Sequence, residues 1–195
     1  FLAICTANMK DADYAPIGPN SAKGTPDKHF DTVLWTGNAN SPRPIRGLNF
    51  QPDLVWMKSR TSGTTHHALF DSVRGINKRI VSNSTGAQDT QGMCHSFDPG
   101  GFTIGDDRNS ASENIVAWCW KAGNDTTENS DGSIHSTVSA NKDAGFSIVK
   151  YTGNATQGAT VGHGLDSAPD FVICKSDNAG YDWPVYHSGL DSTAK

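Results

Sequence analysis

A nine-residue phrase, Phe30 to Asn38, returns 116 positions later as Phe146 to Asn154, so that FDTVLWTGN is answered by FSIVKYTGN. The correspondence continues: Gly47 and Leu48 answer Gly164 and Leu165, and Pro52, Asp53, Leu54 and Val55 answer Pro169, Asp170, Phe171 and Val172. Lys58 and Ser59 then answer Lys175 and Ser176, one residue having been gained in between. Apolar positions, turn residues and a Pro-Asp step keep the same order in both. A period of this length exceeds the ~20–50 residues of solenoid repeats and approaches the size of a small domain. The chain is therefore read as copies of one domain in tandem, an organisation that suits building and binding more than catalysis.

The repeat divides the 195 residues into four expected stretches. Residues 1–6 read as the last strand of a preceding β domain. Residues 7–27 carry Pro16, Pro19, Pro26, Gly18 and Gly24 without periodicity and read as a linker. Residues 28–144 form one complete copy, and 145–195 open a second, incomplete one. The whole reads as a segment of a longer polypeptide.

Short apolar runs between turns dominate the pattern. Phe30 to Thr36, Leu54 to Lys58, His67 to Asp71, Phe102 to Gly105 and Asn114 to Lys121 are expected strands, and Ile45 to Phe50 a short bridging segment. In the longest run, period-two alternation puts Val116, Trp118 and Trp120 on one face and Ile115, Ala117 and Cys119 on the other. No segment keeps a helical apolar period over the ~10–12 residues a helix needs. The expected fold is all-β, a β-sandwich or jelly-roll-like domain in tandem repeat. With 35% hydrophobic residues the chain is apolar-poor, but a net charge of only −4 and patterned aromatics argue against disorder. That weakly acidic balance leaves no basic stripe for nucleic acid, and no apolar run reaches the ~18 residues of a membrane span.

Candidate chemistry is thin. Cys5, Cys94, Cys119 and Cys174 form no CxxC pair and read as small buried hydrophobes, so no structural metal site is expected from them. His66 and His67 are adjacent, and neighbours on a strand point to opposite faces, so they cannot converge on one ion. Neither His67 nor His163 finds a ligating residue at its repeat position, where Trp183 and Arg46 stand. Asp106, Asp107, Asn109 and Glu113 cluster in one loop, where calcium is a possible ligand and a solvated loop the preferred reading. GxSxG and phosphate-loop signatures do not occur. No catalytic residues, metal or cofactor are assigned. Trp35 with Tyr151 and Phe30 with Phe146 recur between the copies and read as core. Tyr181, Trp183 and Tyr186 lie near Gly180 and are the candidate ligand residues, as platforms for stacking on sugar rings.

The phrases FDTVLWTGN, GLNFQPDLVWMKSR, FDSVRG, NIVAWCWKAG, NSDGSI, VSANKDAGFSIVKYTGN and ATVGHGLDSAPDFVICK together resemble a domain of unknown function. That domain recurs in tandem in large structural proteins of tailed, often marine, bacteriophages. FLAICTANM resembles the final strand of the SPRY-type, lectin-like sandwich that often precedes it. The resemblance implies a virion protein, most simply a tail fibre or appendage with a role in host adhesion. It also implies other virion proteins as partners, a homo-oligomer (a trimer) as the assembly, and host-surface glycans as the candidate target. A capsid decoration protein and a secreted carbohydrate-binding adhesin are the alternatives. It brings no catalytic residues with it.

Overall fold

The computed structural model describes residues 1–6 and 26–190. The linker expected over 7–27 lies outside the described residues except for its last two positions. The fold is all-β, with several antiparallel sheets. Its helical pieces among the described residues are two single 3-10 turns, Pro26–Lys28 and Asp106–Arg108.

Four strands build the first sheet: β2 (Phe30–Thr36), β4 (Leu54–Ser59), β5 (Ala68–Asp71) and β10 (Asn114–Trp120). Their order is β2-β10-β4-β5, so β10, the last in sequence, sits between β2 and β4. A three-stranded sheet, β3-β9-β8, is made by β3 (Arg43–Arg46), β8 (Cys94–Asp98) and β9 (Gly101–Ile104). The two sheets share one core. Val55, Met57, Phe70, Ile115, Ala117 and Cys119 from the first meet Ile45, Cys94, Phe102 and Ile104 from the second. The alternation read along β10 is seen here, with Ile115, Ala117 and Cys119 fully buried in that core. Two short strands, β6 (Lys78–Arg79) and β7 (Asp89–Thr90), pair off to one side.

A six-stranded sheet takes the remaining strands, in the order β11-β12-β13-β1-β14-β15. These are β1 (Leu2–Thr6), β11 (Thr127–Asn129), β12 (Ser136–Asn141), β13 (Phe146–Tyr151), β14 (Phe171–Lys175) and β15 (Val185–His187). Residues 127–141, placed by the repeat at the end of the first unit, join this sheet, β12 pairing with β13 and β11 with β12. Strand β1, expected to close a preceding domain, lies between β13 and β14.

The repeated phrases occupy matching places in the two sheets. β10 joins β2 to β4, and β1 joins β13 to β14, antiparallel on both sides in each case. If Phe30 is set on Phe146, the ladder to β2 puts Trp120 on Thr6, Cys119 on Cys5 and Ala117 on Ala3. If Leu54 is set on Phe171, the ladder on the other side gives the same three matches. Backbone bonds follow suit: the Asp53 amide donates to the Trp120 carbonyl at 2.8 Å, and the Asp170 amide to Thr6 at 2.7 Å.

The side chains around these strands match as well. The Lys58 ammonium donates to the carbonyls of Ser59 and Ser62 at 2.9 and 3.0 Å, and that of Lys175 to Ser176 and Ala179 at 2.9 and 3.1 Å. Each lysine caps the turn that follows its own strand, with its ammonium satisfied by backbone oxygen instead of a counter-ion.

A second apolar cluster joins the two parts of the molecule. Leu2, Ile4, Phe146 and Ile148 from the six-stranded sheet meet Leu54, Ile80 and Ala122, with Val73, Trp120 and Trp183 packed around them. Phe30, expected in the core, is instead 41% exposed. The face of β2 that bears Phe30, Thr32 and Leu34 is the outer one, and Phe30 only leans on Trp120, with ring centroids 4.9 Å apart. Its counterpart Phe146 is buried because the same face of its own sheet is covered by that second cluster.

Candidate functional site

On the outer face of the four-stranded sheet, Trp56 of β4 and Trp118 of β10 are direct cross-strand partners. Their rings meet edge to face with centroids 6.1 Å apart at 71°, the geometry that the ring quadrupole favours. Trp120 follows Trp118 on the same face by the two-residue period of the strand. His67, just before β5, closes the other side, with its ring 5.7 Å from Trp56. Together Trp56, His67, Trp118 and Trp120 line a cavity of ≈ 240 Å³.

The polar edge of this cleft is fixed by one hydrogen bond. The Trp56 indole N–H donates to His67 Nδ1 at 2.7 Å, so Nδ1 carries a lone pair and the imidazole proton sits on Nε2. Partial burial, aided by the Lys58 charge, pulls the His67 pKa below its ordinary value and keeps the ring neutral. The His67 amide is tied to Asn83 Oδ1 at 3.1 Å, while His66 Nδ1 lies 3.0 Å from Asn83 Nδ2. The two histidines share an asparagine partner and no convergent point. What the cleft offers a ligand is π surface from three indoles together with ring N–H donors, a set of groups that stacks and orients.

The sequence-derived site residues lie elsewhere. Tyr181 and Tyr186 are 64% and 54% exposed, and Tyr186 stands on β15 opposite Val172. Trp183 is committed to the fold, since its indole N–H donates to the Ser84 carbonyl at 2.9 Å and its ring packs on the cluster containing Leu2 and Ile4. No ring contact joins these three among the described residues. The aromatic cleft was partly signalled by the alternation of Trp118 and Trp120. Its other wall needs the β4–β10 register, which no local pattern carries.

The acidic loop is built around its cations. Arg108 is 4% exposed, and its guanidinium donates to the carbonyls of Asp107 and His66, both at 3.0 Å. Burial lowers its pKa, with Glu113 and Asp107 pulling it back up and Arg79 lowering it further. Asn109, fully buried, accepts from Arg43 at 2.7 Å and donates to Asn38 at 2.8 Å. Its amide is thus used to pin the Thr-Gly-Asn turn after β2. Among the described residues no group of three or more His, Cys, Asp or Glu is placed to hold a metal ion.

A second cavity, ≈ 280 Å³, opens on the six-stranded sheet between Ala3, Cys5, Val149, Tyr151, Val172 and Cys174 and the segment around Val161 to His163. Through the matched registers these six strand residues correspond to Ala117, Cys119, Val33, Trp35, Val55 and Met57, which in the first sheet belong to or pack against the closed core. Tyr151 leans into this cavity, with its hydroxyl 3.4 Å from Cys174 Sγ; burial and that contact raise its pKa.

Fold and cleft thus define an all-β protein of several antiparallel sheets that carries an aromatic surface on one of them. Residues 25–195 match the family described as a domain of unknown function, DUF7483. The chain belongs to that family. Comparison with curated proteins and with solved structures finds no match.

Proposed function

We propose that this chain is a structural component of a bacteriophage virion, a length of tail fibre or appendage built from β-sandwich units in tandem and used in host adhesion. The observation that carries this reading is the repetition of internal anchors with the sequence phrase. Asp53 with Ser72 and Lys58 with its turn recur as Asp170 with Ser188 and Lys175 with its turn. A sequence that duplicates its scaffold bonds while leaving His67 and His163 unmatched fits units that stack. The apolar cluster between the two parts gives such a stack a joint, because burying an aliphatic side chain is worth about 1.5–3 kcal/mol. Repetition then supplies length and multivalency, so that weak surface contacts add through effective concentration.

The aromatic cleft favours a related reading, a carbohydrate-binding adhesin module. Trp56 and Trp118 present faces suited to stacking on sugar rings, and Tyr181 and Tyr186 add exposed aromatics. Two experiments separate the readings. Antibody labelling of intact particles in electron microscopy tests the virion assignment, and absence of label from particles ends it. A glycan array probed with the chain and with Trp118→Ala tests adhesion: binding lost in the variant supports the cleft, and no binding by the assembled protein leaves a purely structural part.

A further inference from the structure

The slot between β13 and β14 is filled from far away in the sequence. β1 makes its ladders to residues 146–151 and 171–175, and pairs with nothing in the first sheet. The equivalent slot between β2 and β4 is filled by β10 in the same register and orientation. Between the two occupants only Ala3 with Ala117 and Cys5 with Cys119 are identical. The slot therefore reads a pattern, small residues toward the core and larger apolar ones outward, in place of a unique sequence. Leu2 and Ile4 are 1% and 7% exposed when bound there. An empty slot exposes them together with Ile148, and offers two unpaired strand edges that any matching strand can satisfy.

We infer that this slot is a strand-acceptor site, and that β1 of a second copy of this chain can occupy it, joining chains by strand exchange. The contacts are the same in the exchanged and the closed form, so the two differ only in connectivity. The competition is then set by concentration. Residues 7–29 connect β1 to β2 in the sequence, and the competing intramolecular pairing is taken at an effective concentration of roughly 1 mM. Chains held close in an assembly reach the same range. The strand-acceptor site is read from the registers and does not depend on where the protein resides.

Disulfide trapping tests it in the full chain. Ala3 and Cys174 are direct cross-strand partners, and facing residues of an antiparallel pair lie about 4.5–5.5 Å apart at Cα, within reach of a disulfide. A donor chain carries Ala3→Cys, Cys5→Ser and Cys174→Ser; an acceptor chain carries Cys5→Ser only. The two are unfolded together, refolded at about 0.3 mM and oxidised mildly. With each chain at that concentration, and donor slots competing equally with acceptor slots, about one fifth of donor chains are expected in a 3-to-174 mixed disulfide, falling on dilution. Absence of the mixed species at this concentration overturns the inference. A single chain with Ala3→Cys, Cys5→Ser and the natural Cys174 must close its own disulfide, and failure to do so overturns the register itself. A donor with Ile4→Cys in place of Ala3→Cys points its thiol to the opposite face; equal cross-linking from it also overturns the inference.

Discussion

Ser72 grips Asp53 at two points: its amide donates to the Asp53 carbonyl at 2.8 Å, and its hydroxyl to Oδ1 at 2.8 Å. Ser188 holds Asp170 in the same way, at 2.7 and 2.8 Å. The grip fixes the end of β5 against the start of β4, and the end of β15 against the start of β14. In the first sheet the Asp53 carboxylate does more, accepting the Ala122 and Asn124 amides on Oδ2 at 2.7 and 3.2 Å. Asp53→Ala would remove the acceptor of those two amides and leave them unsatisfied. Denaturant titration should show a loss of about 2–3 kcal/mol for Asp53→Ala, and about 1 kcal/mol for Ser72→Ala. A neutral Asp53→Ala would show that water, not Asp53, satisfies the chain after β10.

The pH dependence has two opposed parts. A hydrogen bond from Arg79 holds the Asp89 carboxyl below its ordinary value. Burial pushes Asp98 up, but hydrogen bonds from Ser96, Thr103 and Arg46 bring it below the usual range. A carboxyl depressed in the folded state contributes stability above its unfolded pKa of about 3.9, and that contribution is lost as pH falls through the folded value. Asp53 has the other sign: burial raises it, so its contribution is greatest below about 3.9 and is lost as pH rises through its folded pKa. Unfolding midpoints of the native chain and Asp89→Asn, measured from pH 6 to pH 2, should converge as acid is added. A gap that stays constant with pH would sink the ion-pair account.

Phe102 sits at the centre of the shared core with no exposed surface, 5.9 Å from the Trp35 ring. Phe102→Ala should cost about 3–5 kcal/mol at an unchanged denaturant slope. A smaller loss with an altered slope would mean that the three-stranded sheet detaches without the rest.

The four thiols should separate by burial. Burial raises Cys5 to about 11 and Cys94 to about 12, and raises Cys119 further still. Cys174 is half-buried and lines the second cavity. A thiol reagent at pH 8 should modify Cys174 first, with the other three following at the rate of opening. Three thiols reacting together in the native protein would contradict the packing around β1 and β10.

The two Thr-Gly-Asn turns should differ in tolerance. A Cβ at Gly37 would fall 1.9 Å from the Ser110 carbonyl oxygen, whereas at Gly153 it would meet the Phe1 ring at 3.1 Å. Backbone cannot yield as a ring edge can. Gly37→Ala should destabilise by more than about 2 kcal/mol and Gly153→Ala by less than about 1 kcal/mol, as read by thermal unfolding of each variant.

Much of the fold was legible where the determinants are local. Period-two alternation separated Ile115, Ala117 and Cys119 from Trp118 and Trp120, and the Pro-Asp step marked the start of β4. What escaped was non-local. Nothing in Leu2–Thr6 names residues 146–175 as its partners, because a strand's ladder is written in backbone groups common to every residue. The same limit hid the candidate site. Trp183 reads as a free aromatic near Gly180 until the Ser84 carbonyl takes its N–H, and His67 reads as an isolated imidazole until the register brings Trp56 to it. Phe30 shows the converse: the repeat carries its identity over to Phe146, but not the neighbour that buries it.

The placement of β1 also decides how the molecule answers to force. Thr6 and His187 both stand level with Phe171, at one end of the six-stranded sheet, while Leu2 stands level with Lys175 at the other. Tension applied between Phe1 and His187 therefore runs along the strands in opposite directions and loads the ladders in shear. The backbone bonds of β1 must then give way together, whereas a peeling geometry would release them one at a time. The sheet is mechanically stiffest along the line that joins those two residues.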